Sequence, residues 1–279
     1  MNTRSGMWAA LATLLVVHLA IAGAGLVAPY DPTEQHRLQA LLPPSAQFPL
    51  GTDEYGRDQL SRLLHGGRIS LAAGTLATAI SLGAGLAAGA IAGYLGGWID
   101  ELLMRVTELF LALPWLYLLL GVRAFLPLSL SPGHAFLLIA GIIGFVGWAR
   151  PARIVRGIVL SARQREYVEA ARGFGASGFY LLRKHILPQT WGVLLVQATV
   201  LIPQYILAEV GLSFVGLGVE QPEPSWGNML ASVRQVALLS SCWWMLAPGA
   251  LLALITLCYS RLGTFLESQL LSQPVSYNK

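Results

Sequence analysis

The sequence predicts an all-α, polytopic membrane protein with six transmembrane helices, and three features carry that prediction. Of its 279 residues 55% are hydrophobic and only 11% charged, where soluble domains carry about 25% charged residues. The mean hydropathy of +0.60 points the same way. The charges are also spaced so as to leave long uncharged intervals. A helix rising about 1.5 Å per residue needs roughly 20 such residues to cross the hydrocarbon core. The thirty glycines and fifteen prolines would damage soluble helices, but in lipid neighbouring helices re-satisfy the backbone groups they free.

The first interval, between Arg4 and Asp31, holds 26 uncharged residues. That exceeds the apolar stretch of about 7–15 residues in a cleaved signal peptide, so it reads as a retained span. Arg68 to Asp100 leaves 31 residues, Arg123 to Arg150 leaves 26, Lys184 to Glu209 leaves 24 and Arg234 to Arg261 leaves 26. These are four further spans. Between Glu108 and Arg123 lie only 14 residues, Pro114 among them, a length that also suits a re-entrant segment. A full span results if Met104 to Glu108 lie at the interface and Arg123 snorkels outward. We take it as the third span because the charge asymmetry is then consistent.

Orientation follows from the loops. Residues 150–189 hold Arg150, Arg153, Arg156, Arg163, Arg165, Arg172, Arg183 and Lys184 against Glu166 and Glu169. By the positive-inside rule this loop is cytoplasmic. Four spans precede it and two follow, so both termini are expected to be cytoplasmic too. The loop from Gln221 to Trp243 holds Arg234 as its single base, as an external loop should. The loop from Pro29 to Arg68 carries four arginines and fits less well. The expected organisation is a first helix plus external loop over residues 1–68, a core over 69–268 enclosing a cytoplasmic segment at 150–190, and a cytoplasmic tail at 269–279. No internal repeat is evident.

Ser81, Gly85, Gly89 and Gly93 recur every four residues in the second span. Small residues at that spacing share a helix face and admit a second backbone at close range. Cys242 and Cys258 fit neither a metal site nor a disulfide framework and read as small buried residues.

The basic segment is longer than orientation alone requires, and it reads as ordered. Ile154 to Arg172 is rich in helix formers, with Ser161 able to start a new turn. Gly173 and Gly175 break the helix, Ser177 can cap a second one, and Pro188 ends it. Within it, Glu169-Ala170-Ala171, Gly175 and then Leu187-Pro188 resemble the cytoplasmic motif of ATP-binding-cassette importer permeases. His185 stands where many members have isoleucine, but histidine is common there in the peptide-type branch. The resemblance implies a type I importer permease fold in which Glu169, Ala170, Ala171, Gly175, His185, Leu187 and Pro188 couple to an ATPase. The residue types suit that role: the alanines give a flat surface, Glu169 offers a carboxylate and Gly175 allows a bend.

Pro43-Pro44-Ser45, Leu50 to Asp58 and Ser61-Arg62 resemble the N-terminal extension of the peptide and nickel permeases. Leu212 to Gly218 and Pro222 to Gly227 resemble the same branch after its fifth span. The similarity covers nearly the whole chain and weakens at Gly263-Thr264, where the family shows a Gly-Asp pair. It implies the second, C-type permease of a pair, importing di- or oligopeptides or, alternatively, nickel or a metal–chelator complex. The implied partners are a homologous second permease, two ATPase subunits that bind the ATP and magnesium, an extracytoplasmic substrate-binding protein, and lipid. This chain itself is expected to hold no cofactor and to catalyse nothing; ATP binding by the partners rocks it between inward- and outward-open states.

Other polar groups fit less demanding roles. Asp53, Glu54 and Asp58 lack the repeated oxygen ligands of a calcium loop. A turn pinned by Asp53 and Arg57, or an external docking surface formed by Asp53, Arg57 and Asp58, suits them better. Glu209 either lines the translocation route, as intramembrane acids often do, or pairs with an arginine such as Arg234 or Arg123. Arg105 and Glu108 suit a helix-end contact. Histidines 18, 36, 65, 134 and 185 are scattered, and no phosphate-binding glycine loop is present. Topology and a protein partner explain the basic loop without nucleic acid. An ion-coupled secondary transporter would need midplane acids, for which Glu209 alone is a candidate, and no intramembrane catalytic constellation is visible.

Overall fold

The computed structural model describes residues 3–125, 131–234 and 241–272. Helix α1 spans Thr3–Ala22 and a long α2 spans Gln59–Leu95. α3 (Gly97–Ala112) and α4 (Trp115–Ala124) follow, then α5 (Pro132–Gly147) and α6 (Ala149–Arg163). A short α7 covers Glu166–Gly173 and α8 runs over Gly178–Phe214. α9 (Trp226–Ala231) and α10 (Ala247–Ser272) follow. The described residues contain no strand, only an isolated Thr52–Asp58 bridge. The protein is an all-α polytopic membrane protein.

Four stretches are each long and apolar enough to cross a bilayer alone: Arg4–Ala22, Gln59–Leu95, Gly178–Phe214 and Trp243–Leu270. The other two expected spans are bent pairs, α3 with α4 turning by 92° and α5 with α6 by 45°. The third apolar segment is therefore a helix pair broken at Pro114, a form that suits either the span or the re-entrant segment weighed from the charge spacing. Pro114, with φ fixed near −58° and no N–H to donate, ends one helix and starts another.

α2 organises the bundle, packing along α6, α8 and α5, while α1 lies on α10 and α10 on α8. Its 37 residues extend about 55 Å, well beyond a hydrocarbon core of about 30 Å. It begins at Gln59, capped by Asp58, whose Oδ2 accepts from the Ser61 amide at 2.8 Å. The boundary expected at residue 68 therefore runs through a helix. Much of the tail expected at 269–279 lies outside the described residues, since α10 continues to Ser272 and only 273–279 follow.

The stripe of small residues does what its spacing predicts. A Cβ on Gly85 would meet Pro151 Cβ at 2.6 Å, one on Gly89 the Ala152 carbonyl oxygen at 2.4 Å, and one on Gly93 the Arg156 carbonyl oxygen at 2.9 Å. α2 and α6 thus touch backbone to backbone over two turns. Both cysteines are buried as free thiols.

Candidate functional site

The basic segment sits at the Leu95 end of α2, opposite the loop that precedes Gln59. Two contacts fix it there: Arg163 Nη1 donates to the Tyr94 carbonyl at 2.7 Å, and Arg156 Nη2 to Asp100 Oδ2 at 2.6 Å. Beneath it Val155, Val159, Val168, Leu181 and Ile186 form a buried cluster with Ala90 and Ala162. α6, α7 and the start of α8 are thereby packed into one body. Burying a side chain of this size contributes about 1.5–3 kcal/mol relative to water, so α7 is held firmly despite its eight residues.

Ser161 starts no new turn. It lies inside α6, and the break falls at Gln164 and Arg165, where Arg165 turns extended (φ −76°, ψ 140°). Glu166 and Glu169 occupy the first turn of α7 and Arg172 its last, the arrangement that the helix dipole favours. The turn after α7 is a Schellman motif. The Gly175 amide donates to the Arg172 carbonyl at 3.0 Å and the Ala176 amide to that of Ala171 at 3.1 Å. Gly175 has φ +84°, a left-handed conformation that glycine adopts without a Cβ penalty. Ser177 then caps α8 by accepting from the Tyr180 amide.

Pro188 does not end that helix. α8 continues to Phe214 by widening to a π-turn at Leu182–Ile186 and tightening to a 3₁₀ turn at Leu187–Thr190. Pro188 sits in the first turn of the 3₁₀ segment, where a missing N–H breaks no bond. The coupling segment therefore leads directly into a spanning helix.

Of the expected coupling residues, Glu169, Ala170, Gly175 and Pro188 are exposed, while Ala171, His185 and Leu187 are half-buried. Ala171, Gly175 and His185 line one shallow depression with Phe174, Ser177 and Tyr180. The structure adds an aromatic surface that the sequence reading missed. Phe174 is 94% exposed and Phe179 73%, and Tyr167 and Tyr180 flank His185 at ring distances of 6.1 and 5.6 Å. Aromatic residues placed among the arginines were the signal available. No acid–base pair or nucleophile assembles here; the arrangement is a rigid, partly apolar knuckle joined to α6 and α8.

Glu209 is fully buried and its partners are hydroxyls rather than an arginine. Ser70 Oγ donates to Oε2 at 2.6 Å and Ser213 Oγ to Oε1 at 2.7 Å. Both arginines proposed for it are engaged elsewhere: Arg123 Nε donates to the Leu217 carbonyl at 2.7 Å, and Arg234 lies 4.6 Å from the Phe214 ring centroid. The Trp226 amide donates to Ser70 Oγ and the Val219 amide to Ser213 Oγ. Glu209 thus ties α2, α8 and the segment leading into α9.

Asp53 and Arg57 do make the expected pair, at 2.7 Å, but both are buried, as is Asp58. Three buried side chains cannot present a docking surface. They pin the loop instead: Arg57 Nη1 donates to Gln221 Oε1 at 2.7 Å, and Arg62 Nη1 to the Pro32 carbonyl at 3.0 Å. Arg105 lies 3.6 Å from Glu108 and 3.9 Å from Glu101, as a helix-end contact should. Among the described residues no three His, Cys, Asp or Glu side chains gather to hold a metal.

Comparison with known proteins fits this arrangement. The chain is 38% identical over 258 residues to the dipeptide transport system permease protein DppC of Bacillus subtilis, covering 92% of this chain and 78% of that one. It is 39% identical over 276 residues to the di/tripeptide transport system permease protein DppC of Pseudomonas aeruginosa (96% and 88% covered). With the oligopeptide transport system permease protein OppC of Escherichia coli K12 it shares 36% identity over 268 residues (94% and 86%). Residues 85–272, which include the whole knuckle, match the family of binding-protein-dependent transport system inner membrane components, and the chain belongs to that family.

Proposed function

We propose that this chain is the C-type permease subunit of an ATP-driven importer of di- or oligopeptides. The knuckle at residues 166–177 carries this reading: it packs on α6 through a buried apolar cluster, is closed at its C-terminal end by a Schellman turn, exposes an aromatic face and continues without interruption into a spanning helix. A push on such a body is transmitted to α6 and α8 rather than absorbed by a loose loop. The partners in this reading are a homologous permease, two ATPases that hold ATP and magnesium, and an extracytoplasmic binding protein. The eight bases at 150–189 support placing the knuckle and both termini in the cytoplasm. The matched relatives are named for peptides, which supports a peptide substrate.

No observation favours nickel, a metal–chelator complex or ion coupling. Glu209, the one acid suited to a coupling site, is enclosed by hydroxyls. The test is reconstitution of the complex with its binding protein in proteoliposomes. Peptide-stimulated ATP hydrolysis together with uptake of labelled peptide is expected. Uptake driven by a proton or sodium gradient without ATP would refute the assignment.

A further inference from the structure

Both helix breaks in the bundle face a single cavity of about 180 Å³. Leu113 and Trp115 border it from the α3–α4 bend, and Gly147 and Ala149 from the α5–α6 bend, with Tyr205 and Gln204 contributed by α8. Its depth is set by Tyr205, whose hydroxyl lies 2.9 Å from that of Ser81. Ser81 falls near the middle of the uncharged interval 69–99, so the Tyr205 end of the cavity lies near mid-bundle.

Arg150 completes the lining. Ion pairs hold Arg57 and Arg156 to aspartates, whereas no carboxylate pairs with Arg150 among the described residues. Arg150 is exposed and opens the basic segment, so it marks the cytoplasmic end of the lining, where its guanidinium is free to meet a ligand, a partner or a water-filled route. Apolar walls with a few convergent polar groups are the usual form of a small-molecule site, and a guanidinium fork matches a carboxylate. The size limits what fits: complete ligand sites run to about 300–1,000 Å³, so this one accommodates an end of a peptide, not its length.

We propose that the cavity receives the C-terminal end of a peptide in transit. Arg150 pairs with its α-carboxylate, Gln204 donates to the same carboxylate or to the last peptide carbonyl, and Trp115 flanks the terminal side chain. This rests on the peptide-import reading. It makes Arg150 and Gln204 specificity-determining residues of the translocation route.

The test uses the complete transporter in proteoliposomes, with tripeptides carrying a benzophenone amino acid at the C-terminal or the N-terminal position. The C-terminal probe is expected to label residues 110–115 or 201–205 during ATP-driven turnover, the N-terminal probe to label elsewhere. Arg150→Gln and, independently, Gln204→Leu should each lower that labelling, the arginine change by about tenfold as befits a charge-assisted pair, and Arg150→Lys should restore part of it. Equal labelling by both probes, or labelling unchanged in either variant, overturns the proposal. So does an Arg150→Gln effect that appears only in vesicles containing anionic lipid, which would assign Arg150 to a headgroup. Complete absence of peptide import by the unmodified complex would instead defeat the underlying peptide reading.

Discussion

The Cα of Gly89 lies so close to the Ala152 carbonyl that a Cβ there would sit 2.4 Å from its oxygen. This contact is where the central helix α2 meets α6, the helix that carries the knuckle. Any motion of the knuckle must pass through this backbone-to-backbone seam or around it.

Gly89→Val should therefore prevent correct packing of α2 on α6. The obstructing atom is backbone oxygen, which cannot rotate away, and overpacking typically costs about 1–3 kcal/mol or more. Gly83 lies on the same helix, but a methyl group added there would meet nothing within 4 Å, so it should accept alanine without loss. Thermal aggregation of the detergent-purified protein, followed by size-exclusion chromatography, distinguishes the two. Equal behaviour would show that the seam does not bear on stability.

Gly175→Ala should impair uptake partially and Gly175→Pro completely, with the protein still inserted. Alanine must hold a left-handed φ, at about 1–2 kcal/mol. Proline cannot reach +84° and also removes the amide that bonds Arg172. Glu169→Lys should abolish uptake as well. Reversing an exposed charge in a helix's first turn costs only about 0.3–1 kcal/mol, too little to unfold α7, so the loss would report a partner contact. Normal uptake with either Gly175→Pro or Glu169→Lys argues against the coupling role.

Glu209→Gln should retain most of the uptake activity, because the amide can both accept from one serine and donate to the other. Glu209→Leu should destabilise the protein, since the Ser70 and Ser213 hydroxyls lose their acceptor and each unsatisfied buried group costs about 1–3 kcal/mol. Melting curves and uptake assays read both. Were Glu209 a proton-coupling group, the glutamine variant would be inactive but stable.

Asp53→Ala leaves two guanidinium groups, those of Arg57 and Arg62, buried without the carboxylate that lies 2.7 and 3.5 Å away. Breaking a buried pair from one side costs about 3–5 kcal/mol. The loop before α2 should become sensitive to protease in intact proteoliposomes, at concentrations that spare the unaltered protein. Unchanged resistance would mean that the Arg57–Gln221 contact suffices.

Much of this protein was legible before its structure. Runs without charge mark the membrane segments because lipid penalises every ionised group along them. Gly85, Gly89 and Gly93 announced a close helix contact because side-chain volume and a four-residue period are properties of one helix alone. Gly175 and Ser177 marked the knuckle for the same reason: a left-handed φ and a cap are satisfied within a few residues. Tertiary structure decided what depends on distant neighbours. Glu209 met Ser70, 139 positions away, instead of an arginine. Asp53, Arg57 and Asp58 went inside because Gln221 and Arg62 closed over them. Pro188 sits where its helix widens to a π-turn and tightens again over the buried Leu181 and Ile186, and Pro114 turned a short apolar run through 92°. Local chemistry selects the elements, whereas the partner of a buried polar group is chosen only when helices far apart in the chain are brought together.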